Sequence, residues 1–184
     1  MSDLPKRFLK RVIFVIKVFA MVLLIVGFSL AGKRAASVQE KKTALLREII
    51  LMINVVESRL RHSRLPVSDL LCVLDENRGL SELGFIKICR EKMCFGKDFP
   101  DAWRESIDTE AEICGILSDS AEYLQSFGAN IGSTDLESQL SGCRYYSEIF
   151  GRELEIQQEK SRKYSKVFPT LGMLLGISAA ILII

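Results

Sequence analysis

Two long apolar segments lie near the ends of this chain, and a polar middle separates them. Residues 12–32 carry a single charge, on Lys17, and residues 167–184 carry none. A bilayer core about 30 Å thick needs on the order of 20 helical residues, because each residue adds about 1.5 Å of rise. The pattern therefore predicts a transmembrane helix at each segment, a basic tail over 1–11, and a helical domain over 33–166 between the two.

Other structures also fit these segments. Either segment could be a buried core helix, although such helices seldom run this far without a charge. The first could also be a cleavable signal peptide, since a basic tail precedes it and residues 29–31 read Ser-Leu-Ala, which resembles a cleavage site. Lys33 and Arg34 follow at once and disfavour export of what comes next, so we favour a retained transmembrane helix.

The middle domain shows the periodicity of helices. From residue 45 to residue 60, apolar residues recur at spacings of four and three, which indicates an amphipathic helix with one wide buried face. Pro66 should end this helix, and Ser68 should cap a second one. Three further helices are predicted: one from Ser81 to about Phe95, a short one after Pro100 that buries Trp103 and Ile107, and one from about Thr109 to Phe127 that Gly128 caps.

The most specific local signal begins the last predicted helix. Residues 134–137 read Thr-Asp-Leu-Glu and match the capping box, in which a hydroxyl and a carboxylate each accept from a free backbone N–H. No strong helix breaker follows until Pro169, so this helix could continue into the second apolar segment. No alternating strand pattern of useful length occurs. The sequence predicts an all-α antiparallel bundle of about six helices, flanked by N- and C-terminal transmembrane helices.

Charge and cysteine content predict on which side of the membrane the domain lies. Nine basic residues flank the domain at its membrane ends, against four in the N-terminal tail. This excess predicts a two-pass protein of the cell membrane whose central domain is cytoplasmic. The cysteines agree, since there are five, an odd number, and none forms a C-x-x-C motif. A single His makes a zinc or iron site unexpected, so no metal is predicted.

Enzyme motifs have no support in this sequence. Residues 27–33 imitate the G-x4-G-K phosphate-binding loop, but Arg34 stands where that loop needs a Ser or Thr. Neither a nucleophile elbow nor a zinc-protease helix nor a dinucleotide-binding turn is present. We predict that the chain is not an enzyme and has no catalytic residue, cofactor or small-molecule substrate. A membrane sensor or an enzyme with an unrecognised site is the least favoured alternative.

Two patterns bear on partners. Between Asp98 and Glu137 there are ten acids and one base, Arg104. We favour the interpretation that this polarity keeps the acidic end away from anionic lipid, and a docking surface for a basic cytoplasmic partner is the alternative. Nucleic acid is not predicted, because lipid would cover the basic clusters. In the last segment Gly172 and Gly176 form a G-x3-G motif, which allows close helix packing and a homo-oligomer.

Four parts of the chain carry a family resemblance. The first runs from Gly27 and Gly32 into Arg34 and then into the long helix. In that helix Glu57 matches one acid of a Leu-Glu-x-Glu-Ile motif, and Arg59 replaces the second acid. The second part is the stretch over 65–70, similar to a Thr-Pro-Leu-x-Glu-Ala turn in its proline and its acid, Pro66 and Asp69. The closing basic helix and the terminal apolar segment also match.

The third part is the most specific. Residues 127–139 are similar to a Leu-Gly-x-x-Asp-x-x-x-Gln element, with Gly128, Asp135 and Gln139 at the matching positions and a longer spacing between glycine and aspartate. On these residues the chain resembles the stage III sporulation protein AB family of endospore-forming bacteria, over nearly its whole length.

The resemblance implies a function. Members of this family have a helical domain similar to the cytoplasmic domain of the type II secretion platform protein, the F component. They belong to the channel machinery that links the mother cell and the forespore. The expected partners are a secretion-type ATPase, stage III sporulation protein AA, and other proteins of the same operon. The alternative is a platform protein of a type II secretion or type IV pilus system in vegetative cells, which the timing of expression would distinguish.

Overall fold

The computed structural model describes residues 27, 37–63, 65–114, 120–131 and 135–183, with the side chains of 111–114 and 164–183 left out. It divides into two units. One consists of Lys41–Gln158, and the other of Met1–Glu40 with Glu159–Ile184. In the second unit, the described backbone at Gly27, 37–40 and 159–183 is helical. The buried side chains named below belong to the first unit, which we call the helical unit.

Every regular element in the described part of the chain is a helix, so the all-α prediction is confirmed. Helix α1 covers 37–62. The later helices are α2 (Val67–Asp75), α3 (Gly84–Cys94), α4 (Phe99–Cys114), α5 (Ala121–Asn130) and α6 (Leu136–Ile183), with a short 3₁₀ helix at Arg78–Leu80 between α2 and α3.

The predicted transmembrane helices are not confirmed. Apart from Gly27, the segment 12–32 lies outside the described residues, and for 167–184 the structure describes only a helical backbone as far as Ile183. Within the part of the chain that the structure describes, no helix combines the length and apolar character that a membrane crossing requires. The domain bounds 33–166 stay a prediction.

The apolar pattern of α1 forms the centre of the core, as predicted. Its repeating residues are all buried: Leu45, Ile49, Met52, Val56 and Leu60. Leu46 and Ile53 are buried as well and widen this face. A face this wide can contact more than one neighbouring helix, and buried residues of α2 to α6 complete the same cluster.

Contacts between helices show that the bundle is antiparallel. Lys42 at the start of α1 lies 3.7 Å from Glu153 of α6, and Glu57 near the end of α1 lies 3.9 Å from Arg144, nearer the start of α6. Higher residue numbers in α1 therefore pair with lower residue numbers in α6, so the two helices run in opposite directions. The same holds for α4 and α5, where the Trp103 ring packs against Gly128 and the Gln125 amide donates to Asp108.

Three predicted helix boundaries are wrong. Pro66, not Ser68, precedes the first residue of α2. Helix α3 begins at Gly84 rather than Ser81, because residues 78–80 form a 3₁₀ helix in which the Asn77 side chain accepts from the Gly79 N–H. The fourth helix does not end near Thr109. The Thr109 hydroxyl donates to the Glu105 carbonyl one turn earlier in the same helix. This bond satisfies the hydroxyl without breaking the helix.

Candidate functional site

Three chain turns meet at one end of the helical unit. Helices α3 and α4 are antiparallel, since Lys92 binds Glu105 near the turn and Gly84 faces Glu110 far from it. Helix α5 returns along α4, and α6 starts where α5 ends. We call the end that contains the C-termini of α1, α3 and α5 the distal end, because Lys41 and Gln158, where the unit begins and ends, lie at the other end.

Gly128 lies near this end, but it does not cap α5 as the sequence predicted. The helix continues to Asn130, and Ile131 is the C-cap. A Cβ atom at position 128 would lie 2.1 Å from Cδ1 of the Trp103 ring. Gly128 is therefore present because the indole of α4 packs directly against the α5 backbone. The ring is anchored there by a hydrogen bond of 2.9 Å from its N–H to the Leu124 carbonyl.

Asp135 begins α6 at the distal end. Its carboxylate accepts from the Ser138 N–H at 3.3 Å, so Asp135 occupies the N-cap position, and the predicted cap, Thr134, lies outside the described residues. The hydrogen bonds from Ser138 lower the pKa of this carboxyl. Gln139 follows one turn later, is partly exposed, and its backbone N–H donates to the Asp135 carbonyl.

Pro66 and Asp69 lie where α2 begins, at the same end. Both are exposed, and Asp69 is in the first turn of α2, where a carboxylate interacts favourably with the positive end of the helix dipole. The Pro-x-x-acid spacing is therefore explained by the start of a helix. The proline supplies an extended backbone before the helix, and the acid stabilises its first turn.

Glu57 joins α1 to α6. One of its carboxylate oxygens accepts from Arg61 at 2.7 Å, one helical turn on, and lies 3.9 Å from the Arg144 guanidinium. Arg59, which stands in place of the second family acid, is exposed. The acid that this chain retains thus connects two helices, while the replaced position faces solvent.

The α3–α4 turn is a site that the sequence did not predict. Lys92 and Lys97 both bind the carboxylate of Glu105 on α4, the first at 2.9 Å. These two hydrogen bonds hold the pKa of Glu105 down at about 2. The backbone of the turn passes through Gly96 at a φ of 91°, a left-handed conformation that favours glycine. Between the two lysines the Phe95 side chain is 91% exposed.

Five of the seven interaction candidates therefore lie at the distal end of the helical unit: Pro66, Asp69, Gly128, Asp135 and Gln139. Glu57 lies a little over one helical turn before the end of α1. Arg34 lies outside the described residues. Gly172 and Gly176 fall on the described helical backbone of α6 in the other unit, and their role in packing stays a prediction.

No metal site emerges in the described part of the chain. There, no group of three or more His, Cys, Asp or Glu side chains is placed to hold a metal ion. Of the described cysteines, Cys72 and Cys94 are exposed, and Cys89 and Cys143 are buried. Burial raises the pKa of the two buried thiols, to about 12 for Cys89 and about 11 for Cys143.

Comparison with known protein families places these residues in context. The model of one family, stage III sporulation protein AB, matches residues 17–184 and so covers most of the chain. The chain belongs to that family. The resemblance expected from the sequence is confirmed, and a role in sporulation follows from it. This is not a known enzyme family. Searches among curated proteins and among solved structures gave no significant match.

Proposed function

We propose that this chain is a non-catalytic platform component of the channel complex that joins the mother cell and the forespore. In this proposal, helices 12–32 and 167–184 anchor it in the mother-cell membrane, and the helical unit couples a cytoplasmic secretion-type ATPase, stage III sporulation protein AA, to that membrane. The observation that carries the proposal is the family match over 17–184. The two apolar segments and the all-α unit support it.

The surroundings of three carboxylates, those of Glu57, Glu105 and Asp135, favour a structural role for them. Glu105 is held by two lysines and Asp135 caps α6, so both are stabilised as anions, with lowered pKa values. A general acid at neutral pH needs a pKa near 7, which neither group approaches. Glu57 joins two helices through Arg61 and Arg144. These groups stabilise the bundle, as a platform that transmits force would require.

Deletion of the gene in a spore-forming host tests the biological role. We expect loss of heat-resistant spores and of late gene expression in the forespore, both restored by a second copy of the wild-type gene. Normal spore counts together with normal late forespore expression would contradict the proposal.

Membrane anchoring and topology need a separate test. The full-length protein should sediment with membranes after gentle lysis and leave them only on addition of detergent. Protease added to intact protoplasts should leave the helical unit uncut, because we place that unit in the cytoplasm. Recovery of the protein in the high-speed supernatant would contradict anchoring, and cleavage within 41–158 from outside would reverse the topology.

A further inference from the structure

Phe95 is the most exposed of the large apolar side chains in the described part of the chain. It is 91% exposed, while the next, Tyr145 and Ile156, are 59% and 57% exposed. Single exposed apolar residues are common and need no explanation by themselves. What distinguishes Phe95 is how rigidly the chain holds it and which charges surround it.

The backbone that carries Phe95 is fixed by the motif that ends α3. The Gly96 N–H donates to the Met93 carbonyl at 2.9 Å, and the Lys97 N–H donates to the Lys92 carbonyl at 3.2 Å. With Gly96 in the left-handed conformation, these two bonds form a Schellman motif. Phe95 thus lies at the C-cap of a fully hydrogen-bonded helix end, and its backbone is ordered before any partner arrives.

The two lysine side chains on either side of Phe95 are also engaged. A Schellman motif is commonly accompanied by an apolar contact between the positions that Lys92 and Lys97 occupy here. In this chain both lysines bind Glu105 instead. The Phe95 ring therefore contributes little to the stability of the helix end. The backbone there holds the ring out in solvent. An exposed aromatic on a preordered backbone loses little conformational entropy on binding, which is typical of an interface hot spot.

Three exposed carboxylates lie close to Phe95 along the chain. Glu91 lies one turn before it on α3, and Asp98 and Asp101 lie just after it, all three exposed. The positive charges nearest to Phe95 in the sequence, on Lys92 and Lys97, are engaged by Glu105, and the exposed Arg104 follows Asp101 on α4. A partner would accordingly meet an apolar anchor bordered by carboxylates. Such a surface complements an apolar pocket that Lys or Arg side chains flank, and it opposes contact with anionic lipid.

We propose that the α3–α4 turn, with Phe95 as its anchor and Glu91, Asp98 and Asp101 as its rim, is the surface through which this chain docks a protein partner that presents an apolar pocket bordered by basic residues. The partner's identity rests on the proposed function, in which it is the secretion-type ATPase. The place of the surface rests on the geometry of this turn.

Binding of the full-length chain in detergent micelles to the purified ATPase tests the surface. Phe95→Ala should weaken the dissociation constant by at least about tenfold, the size of a hot-spot loss. Asp101→Lys should weaken it as well, and more strongly at low salt than at high salt, because rim charges are screened. The melting temperature of Phe95→Ala should equal that of the wild type, because the removed ring contacts mostly solvent.

Matched controls lie on α6. Ile156→Ala removes another exposed apolar side chain, and Glu155→Lys reverses another exposed charge. Both should bind the ATPase within about twofold of the wild type, since single surface changes outside an interface have little effect on affinity. If wild-type chain binds and Phe95→Ala binds equally well, or if Ile156→Ala is weakened as much, the docking surface is wrong while the proposed function stands.

Failure of the wild type to bind the ATPase would contradict the proposed function. A second measurement then tests the docking surface independently of that partner. In sporulating cells, p-benzoylphenylalanine replaces Phe95 in one strain and Ile156 in another, and the crosslinked species are identified by mass spectrometry. A crosslink from position 95 alone, to one identified protein and reduced by Asp101→Lys, supports the surface with a different partner. Crosslinks to lipid, from both positions, or from neither overturn it.

Discussion

Gly128 and Gly151 both lie inside helices, yet their surroundings differ. A Cβ atom at 128 would meet the Trp103 ring at 2.1 Å, whereas nothing lies within 4 Å of a Cβ atom at 151. The first glycine is required by close packing between α4 and α5. The second lowers the helix propensity of α6 and leaves the position open to a larger side chain.

Gly128→Ala should destabilise the protein by about 2–3 kcal/mol, because the added methyl must displace a buried, hydrogen-bonded indole. Gly151→Ala is the matched control and should stabilise it by up to about 1 kcal/mol. Denaturation of the full-length protein in detergent, followed by circular dichroism, measures both. Equal effects of the two substitutions would contradict the packing that we describe.

The described cysteines should differ in reactivity. The thiolate is the nucleophile, and burial both shields Cys89 and Cys143 and raises their pKa values to about 12 and 11. With iodoacetamide at pH 8, Cys72 and Cys94 should be alkylated at least about tenfold faster than these two. Peptide mapping of the native protein measures each site separately, and urea-unfolded protein should react evenly. Fast alkylation of Cys143 in native protein would mean that α6 does not pack as described.

At the scale of elements, the α3–α4 turn depends on one carboxylate. Glu105 on α4 binds Lys92 at the end of α3 and Lys97 beyond it, so a single side chain ties the helix end to its neighbour. This stabilisation needs the charged form. Because the folded-state pKa of Glu105 is about 2, below the ordinary 4.5, its contribution is present above about pH 4.5 and is lost as the pH falls through about 2.

Glu105→Gln should therefore lower the melting temperature at pH 6, and the difference from the wild type should shrink between about pH 4.5 and about pH 2. Added salt should reduce it too, since the groups are partly exposed. Glu155→Gln, on an exposed part of α6, is the control and should show no comparable pH-dependent difference. A difference for Glu105→Gln that stays constant from pH 6 to pH 2 would contradict a role for the ionised carboxylate.

At the scale of the whole molecule, the buried core lies within one unit. The described buried apolar residues run from Leu45 to Phe150, all inside Lys41–Gln158. Both α1 and α6 contribute to this core, and contacts join Lys42 to Glu153 and Glu57 to Arg144, so the unit closes on itself through its first and last helices.

A fragment of residues 41–158 should consequently fold alone, with high helical content and a single cooperative thermal transition. The fragment 41–130 is its control. It lacks α6, and with it Cys143 and Phe150, so its core is incomplete and its transition should be broad or absent. Circular dichroism and calorimetry measure both. A broad transition for 41–158 would mean that the unit needs the remaining segments in order to fold.

Much of the fold could be predicted from local patterns. The apolar spacing of α1 identified its buried face, and the lack of alternating patterns indicated the all-α class. Boundaries were less predictable, because they depend on hydrogen bonds that the pattern does not encode. Thr109 stays within α4 with its hydroxyl bonded to the Glu105 carbonyl, and the Asn77 side chain accepts from the Gly79 N–H at the start of a 3₁₀ helix. The cap predicted at Gly128 is wrong because a glycine near a helix end has the same local signature as one required by packing.

The sequence by itself determined the family, the helical class and the buried face of α1, because these follow from short-range spacing and from motifs read along the chain. Only the tertiary structure decided that Gly128 faces Trp103, that Lys92 and Lys97 share Glu105, and that Phe95 is left exposed between them. Each of these features depends on which helices are neighbours and on their relative positions along the bundle axis. Contacts between residues distant in sequence fix that arrangement, and periodicity within one helix carries no information about it.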